Sequence, residues 1–237
     1  MFIYTVTRRG GDCQGVNCNL LKLLKKQGQK IGKVGDIVFA QLRVQAFLEE
    51  LGSNKPAPGG GTASALAGSL ASSLVKMVAH LSGEEHEETI SRAEVLTNQL
   101  LHLATRDTEA FNQVMAAYKL PRKTDEDKKQ RSQAIQHATR LATEVPLQIM
   151  EVSLNVVALA KKMAVHGNPN TISDAGVAGL LGVAACRGAS YNVLINLPGL
   201  KDQEFVAATK SRLEEILGDV EELERLVANH VTDTLAK

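Results

Sequence analysis

Residues 55–78 read KPAPGGGTASALAGSLASSLVKMV, and the reading of this stretch decides the fold. Three glycines between a proline-rich turn and an apolar run invite comparison with nucleotide-binding loops. A phosphate loop needs GxxxxGK[ST] after a strand, and a dinucleotide fingerprint needs GxGxxG within a strand-turn-helix unit. Gly59, Gly60 and Gly61 followed by Thr62 satisfy neither, and no strand-type alternation precedes them. What remains is a turn at Pro56 and Pro58 that opens a helix, with Thr62 the expected N-cap. Ala63, Leu66, Ala67, Leu70, Ala71, Leu74, Val75, Val78 and Leu81 then recur at helical spacing, while Gly61, Ala65, Ser69 and Ser73 form a second face of small side chains. Only Lys76 is charged between Thr62 and His80. Such a helix is expected to be buried on most sides, with neighbouring backbones drawn close by the small residues. A membrane span has a similar length, but the serines and Lys76 argue against one, and Lys76 is expected to reach the surface at the helix end. The backbone N–H groups at the helix start are able to receive a carboxylate or a polar ring edge.

Outward from this stretch the periodicity stays helical. In DIVFAQLRVQAFLEELGS, Ile37, Ala40, Val44, Phe47, Leu48 and Leu51 predict a helix of about four turns that begins at Asp36. Residues 84–118 and 124–165 carry apolar stripes among many charges and read as the outside of a bundle; Thr124 and Asp127 form a capping-box pattern, and Pro146 is expected to break or kink the second helix. A second quiet segment follows, with Asp174 and Arg187 the only charges between Thr171 and Leu197, closed by Pro198 and Gly199. A last charged helix runs from about Asp202 to Leu235. The fold class is therefore all-α, a helical bundle of five or six helices with two low-charge central helices. Trp is absent and aromatics are 3% of residues, so Leu, Val and Ala must fill the core and few rings remain for stacking on bases.

The formal net charge of +1 gives no reason to expect nucleic acid or an anionic membrane as a partner. The total hides a shift: residues 1–35 hold seven Lys or Arg against Asp12 alone, a net of +6. Residues 1–36 read as a basic N-terminal extension that need not be ordered, and residues 37–237 as the domain. The FIYTV patch is too short for a signal-peptide core. Cys13 and Cys18 lack a second pair of Cys or His nearby, which is weak for zinc, and with Cys186 the count is odd, which fits a reducing, cytoplasmic setting.

FLEELGSNKPAPGGGTASALAGSLASSLVKMV, RDTEAFNQVMAAYKLP, QAIQHATRLATEVPL, GNPNTISDAGVA and NVLINLPGLKD, in this order, resemble the cyclodeaminase/cyclohydrolase family. It comprises the C-terminal domain of formiminotransferase-cyclodeaminase and stand-alone methenyltetrahydrofolate cyclohydrolases. The likeness spans roughly Ile37 to Glu215, and residues 1–35 have no part in it. It implies a homodimeric helical enzyme of folate one-carbon metabolism, with no metal and no cofactor beyond its tetrahydrofolate substrate. Members either hydrolyse 5,10-methenyltetrahydrofolate to 10-formyltetrahydrofolate or close 5-formiminotetrahydrofolate to the methenyl compound with loss of ammonia. Without a formiminotransferase domain alongside, the first reaction is expected. A non-catalytic helical binding or scaffold dimer is the alternative of a different class.

Both reactions pass through an amidinium-like carbon between N5 and N10, which calls for a carboxylate and an acid/base. The resemblance points to Asp107, in RDTEAF, for that role; on spacing alone an exposed Asp paired with Arg106 reads as well. Asp174 is the second catalytic candidate, although Thr171 and Asp174 also form a T-x-x-D cap. Gly59, Gly60, Gly61 and Thr62 become a wall of the folate pocket, and Asn168, Asn170, Asn192 and Asn196 offer amides suited to a pterin, or serve as loop and helix-end residues. The anionic glutamate tail needs a base, for which Arg131 is chosen from the cluster Lys119, Arg122, Lys123, Lys128 and Arg131.

Overall fold

The computed structural model describes residues 41–236; the expectations for residues 1–36, including an N-cap at Asp36, lie outside the described residues. Six α-helices are present among the described residues: α1 (Val44–Leu51), α2 (Gly60–His80), α3 (Glu87–Tyr118), α4 (Asp125–His166), α5 (Ile172–Asn196) and α6 (Gln203–Leu235). Single turns of 3-10 helix at Glu84–His86, Pro169–Thr171 and Leu197–Gly199 join or close them. The first helix is shorter than expected. Arg43 is extended, so the periodic pattern that began at Ile37 does not continue into Val44–Leu51 as one helix, and none of the residues of α1 is buried.

α4 forms the back of the bundle and touches α2, α3, α5 and α6. α2 and α5 lie side by side in front of it, flanked by α3 and α6 respectively. They run antiparallel: the start of α2 meets Asn192 near the end of α5, whereas Leu81 and Ser82, just past its C-terminus, receive the Asn168 amide groups that precede α5. The core between them is filled by Val75, Leu100, Ile149, Met150, Val157 and Ala185, each fully buried; burial of each larger aliphatic side chain contributes about 1.5–3 kcal/mol. With so few aromatics the helices approach closely. A Cβ on Gly68 would stand 3.1 Å from both Leu100 Cδ1 and Ser153 Oγ and 3.3 Å from Ala185 Cβ, so the α2–α4–α5 crossing tolerates little more than hydrogen there.

α4 departs from expectation in a telling way. Thr124 and Asp127 do close the capping box, with reciprocal bonds of 3.0 Å, but the helix runs through Pro146 without a break. Proline has no N–H for the carbonyl four residues earlier, which normally leaves that group orphaned. Here Asn196 Nδ2 donates to the Ala142 carbonyl at 2.8 Å, and the substitute donor from α5 satisfies it. Thr171 and Asp174 do not form a capping box: Thr171 is the N-cap of α5 without a side-chain cap bond, and its hydroxyl donates to the Asn168 carbonyl at 2.8 Å. Lys76 reaches Glu94 at 3.1 Å near the surface.

The two low-charge helices are central, yet each keeps an uncovered stripe on the side away from α4. About half of each is buried, although each is long and apolar enough to cross a membrane. Leu70, Met77 and Leu81 face outward from α2, and Val177, Leu180, Tyr191, Leu194 and Ile195 from α5. The burial on most sides expected for α2 is therefore met except along this one stripe.

Candidate functional site

The glycine loop meets α3 and α5 at one end of the bundle. Gly59 is the N-cap of α2 and offers no side chain, which corrects the assignment of Thr62 as the cap. Thr62 lies inside the first turn, fully buried, and points its hydroxyl at α3. The hydroxyl donates to Asp107 Oδ2 at 2.9 Å and shares a 3.0 Å contact with Thr108 Oγ1, with the Ala104 carbonyl at 3.3 Å. The Thr62 amide also bonds the Asp107 carboxyl. Asp107 therefore supplies from a neighbouring helix the acceptor that the uncapped start of α2 lacks.

Gly61 makes this possible. A Cβ there would lie 2.6 Å from Asp107 Cγ and 2.7 Å from Oδ2, inside van der Waals contact. The carboxyl rests directly on the Gly61 backbone. Asp107 has no ion pair among the described residues, and Arg106 instead donates to Gln148 at 3.1 Å. Burial pushes the Asp107 carboxyl above its ordinary value, and the side-chain and backbone hydrogen bonds from Thr62 pull against that rise. A carboxyl so placed holds a proton more readily than an exposed Asp and is suited to moving one.

Asn192 lies on the other side of the loop. A Cβ on Gly60 would find Asn192 Nδ2 at 3.5 Å and Oδ1 at 3.7 Å, and Nδ2 donates to the Gly188 carbonyl at 2.9 Å. Gly59, Gly60, Gly61, Thr62, Asp107 and Asn192 thus form one cluster. Asn196, one turn further on, has both amide hydrogens engaged, by the Ala142 carbonyl at 2.8 Å and the Asn192 carbonyl at 2.9 Å; it serves the α4–α5 joint.

Two expected site residues lie elsewhere within the chain. Asp174 is in the first turn of α5, eighteen residues before Asn192 and so about 27 Å away along the helix at 1.5 Å per residue. Asn168 shares that far end. Its side chain accepts from the Asn170 amide at 3.0 Å and donates to the Leu81 carbonyl at 3.0 Å, and its own amide donates to Ser82 Oγ at 2.7 Å. Both asparagines of GNPN act as turn residues.

Arg131 stands at the C-terminal end of α3, beyond the point where the glycine loop meets that helix. Its guanidinium donates to the Tyr118 carbonyl at 3.2 Å and sits 5.5 Å from the Tyr118 ring centroid. With Arg122, Lys128, Ser132, Ile135 and Gln136 it lines a cavity of about 320 Å³. Lys128 is paired with Asp125 at 2.8 Å, whereas neither Arg122 nor Arg131 has an acidic partner among the described residues. Lys201 joins the rim by donating to Ser132 Oγ at 3.1 Å. Tyr118 is eleven residues beyond Asp107 on α3, about 16 Å along the axis. Sequence reasoning missed Lys201 and Thr108; Thr108 adjoins Asp107 in the chain, but nothing in the periodicity separated it from a surface threonine.

Residues 43–215 match the profile of the formiminotransferase-cyclodeaminase family. The chain belongs to that family. Among the family's proteins, methenyltetrahydrofolate cyclohydrolase of Methylorubrum extorquens is 40% identical over 185 residues, covering 74% of this chain and 89% of that protein. Formimidoyltransferase-cyclodeaminase of Rattus norvegicus is 31% identical over 83% of this chain, which spans only 38% of the rat protein. The crystal structure of formiminotetrahydrofolate cyclodeaminase from Thermotoga maritima superposes with a TM-score of 0.75 at 28% identity, covering 83% of this family member and 99% of that chain. The helical architecture is therefore the family's own.

Proposed function

We propose that the protein hydrolyses 5,10-methenyltetrahydrofolate to 10-formyltetrahydrofolate at the Asp107–glycine-loop cluster. The observation that carries this reading is the desolvated Asp107 carboxyl, held by Thr62 against Gly61, in a chain 40% identical to a methenyltetrahydrofolate cyclohydrolase across most of that protein's length. The substrate carbon between N5 and N10 carries a delocalised positive charge. The Asp107 carboxylate opposes that charge and takes a proton from an attacking water, so that oxygen bonds to the carbon. The same carboxyl then returns the proton to N5 as the carbon–N5 bond breaks, leaving the formyl group on N10 and releasing one net proton. Asn192, beside Gly60, offers an amide to the pterin edge. Arg122 and Arg131, without acidic partners and grouped by Tyr118, which is about 16 Å along α3 from Asp107, suit an anionic glutamate tail at the far end of an extended folate.

The likeness to the Thermotoga maritima cyclodeaminase over 99% of that chain favours a second reaction on the same cluster. In it, N10 of 5-formiminotetrahydrofolate attacks the formimino carbon and protonated Asp107 supplies the proton with which ammonia leaves. We also infer a homodimer, supported by the half-uncovered low-charge helices, and place it in the cytoplasm without a metal or further cofactor on the family resemblance and cysteine usage alone. The test is optical. Purified protein is expected to hasten the loss of the near-ultraviolet absorbance of methenyltetrahydrofolate over buffer; no acceleration, and no formation of that absorbance from formiminotetrahydrofolate, would leave the scaffold reading standing.

A further inference from the structure

We propose that Thr108 is a positioning residue for Asp107 that acts through Thr62: its hydroxyl donates to Thr62 Oγ1 and so directs the one hydroxyl proton of Thr62 onto the carboxylate, releasing it toward the Ala104 carbonyl when Asp107 takes up a proton. Its bearing on catalysis rests on Asp107 being the proton-transfer group, whereas its spectroscopic test does not.

A count of protons and lone pairs gives the chain its direction. Thr62 is fully buried, so bulk water does not complete the bonds of its hydroxyl. Three oxygens surround that hydroxyl: Asp107 Oδ2 at 2.9 Å, Thr108 Oγ1 at 3.0 Å and the Ala104 carbonyl at 3.3 Å. A hydroxyl has one proton to donate and two lone pairs with which to accept. Facing a carboxylate, which only accepts, Thr62 places its proton there. The contact with Thr108 is then a hydrogen bond only if Thr108 is the donor. The shorter distance to Asp107 than to Ala104 agrees with a charged acceptor drawing the proton.

The third oxygen lets the same group serve the protonated carboxyl. Protonated at Oδ2, Asp107 becomes a donor. Thr62 then accepts from Asp107 and from Thr108 and turns its own proton to the Ala104 carbonyl, a rotation about Cβ–Oγ1 that moves no heavy atom. Both protonation states of Asp107 therefore find partners, which suits a group that must take a proton and return it.

Among the described residues, the charged groups around Asp107 are engaged with others or turned to solvent. On α3, Arg106 donates to Gln148 of α4 at 3.1 Å, and His102 and Glu109 are exposed. On α4, Glu144 pairs with Arg140 at 2.9 Å, and ahead of α2 Lys55 pairs with Glu50. The first turn of α2 has no ionisable side chain; α5 presents Asn192 beside the loop, with Tyr191 exposed. The hydroxyl chain is thus the local device that favours the charged carboxylate against its burial.

The test is the ionisation of Asp107 itself, followed by the carbon-13 resonance of its carboxyl carbon in protein labelled at aspartate and assigned by its loss in Asp107→Asn. Removing either hydroxyl takes support from the charged form, so the midpoint moves to higher pH. Thr62→Val is expected to move it furthest and Thr108→Val by a smaller step in the same direction. Thr108→Ser should return it to the parental value, which a packing role would not do. Thr108 is only half-buried, so the Thr108 pair carries the test even where Thr62→Val fails to fold. In the absorbance assay the acid limb of the kcat/KM profile should move in the same order, with the plateau above it within about 10-fold of the parent for Thr108→Val, the scale of one hydrogen bond. A parental midpoint in Thr108→Val, or a shift that Thr108→Ser does not reverse, overturns the proposal whether or not folate is turned over. A shifted and rescued midpoint in a protein inactive on both folates supports the hydroxyl chain and sinks the catalytic reading of Asp107 instead.

Discussion

Gly61→Ala is the sharpest perturbation the cluster offers. The added Cβ would lie 2.6 Å from Asp107 Cγ and 2.7 Å from Oδ2, so something must move. The Gly61 backbone is fixed in the first turn of α2, and Asp107 is fixed by the Thr62 hydroxyl at 2.9 Å; the carboxyl is the softer of the two. Overpacking of this kind costs about 1–3 kcal/mol, which for a domain of this size lowers the melting temperature by roughly 2–12 °C. A reacting group displaced by about 1 Å loses on the order of 100-fold in rate, so activity should fall much further than stability.

The neighbouring glycines are the controls. Gly59→Ala meets nothing within 4 Å, and Gly60→Ala meets Asn192 only at ordinary contact distances of 3.5 and 3.7 Å; both should melt within a few degrees of the parent. In an Asp107→Ala background the clashing carboxyl is gone, and Gly61→Ala should cost little stability, a coupling that a double-mutant cycle reads directly. Thermal melts and the absorbance assay suffice. A Gly61→Ala protein with parental rate and melting temperature would refute the reasoning, as would an equal loss in the Asp107→Ala background.

Asp107→Asn should lower the rate by roughly 100- to 10,000-fold. It should also stabilise the fold at neutral pH: burial raises the folded-state value above the ordinary 3.8, so ionisation of Asp107 weakens the folded chain as pH rises through that range, and the advantage of Asn should vanish below it in pH-dependent melts. Arg131→Ala should raise KM by roughly 10-fold with kcat unchanged, the signature of lost uniform binding, whereas an unchanged KM would place the tail elsewhere. Asn196→Ala should cost about 1–3 kcal/mol by orphaning the Ala142 carbonyl, and denaturant unfolding should show most of that loss removed by Pro146→Ala, which restores a backbone donor.

The helices were legible because their signals are local. The capping box of Thr124 and Asp127 is written in four residues, and the apolar stripe of α2 is written in its spacing. The unbroken course of α4 through Pro146 was not legible because the compensating donor, Asn196, is fifty residues away in sequence, and no local rule carries it. Thr62 was misread for a similar reason: next to glycines it looks like a cap, and only the arrival of Asp107 from α3 turns its hydroxyl sideways. Asp107 itself owed its selection to the family resemblance, since its unusual property is burial, which an isolated RDTEAF does not display.

The expectation of burial on most sides for α2 holds but for one stripe, and α5, expected to be a central helix, keeps a stripe of its own, which is instructive. Hydropathy records the surface a chain covers in its working state, whichever chain does the covering. Leu70, Leu180, Tyr191 and Ile195 are spaced as core residues are spaced, yet each is more than half exposed in the single bundle. A soluble monomer rarely leaves so continuous an apolar face open, so their pattern points to a cover that one chain does not supply.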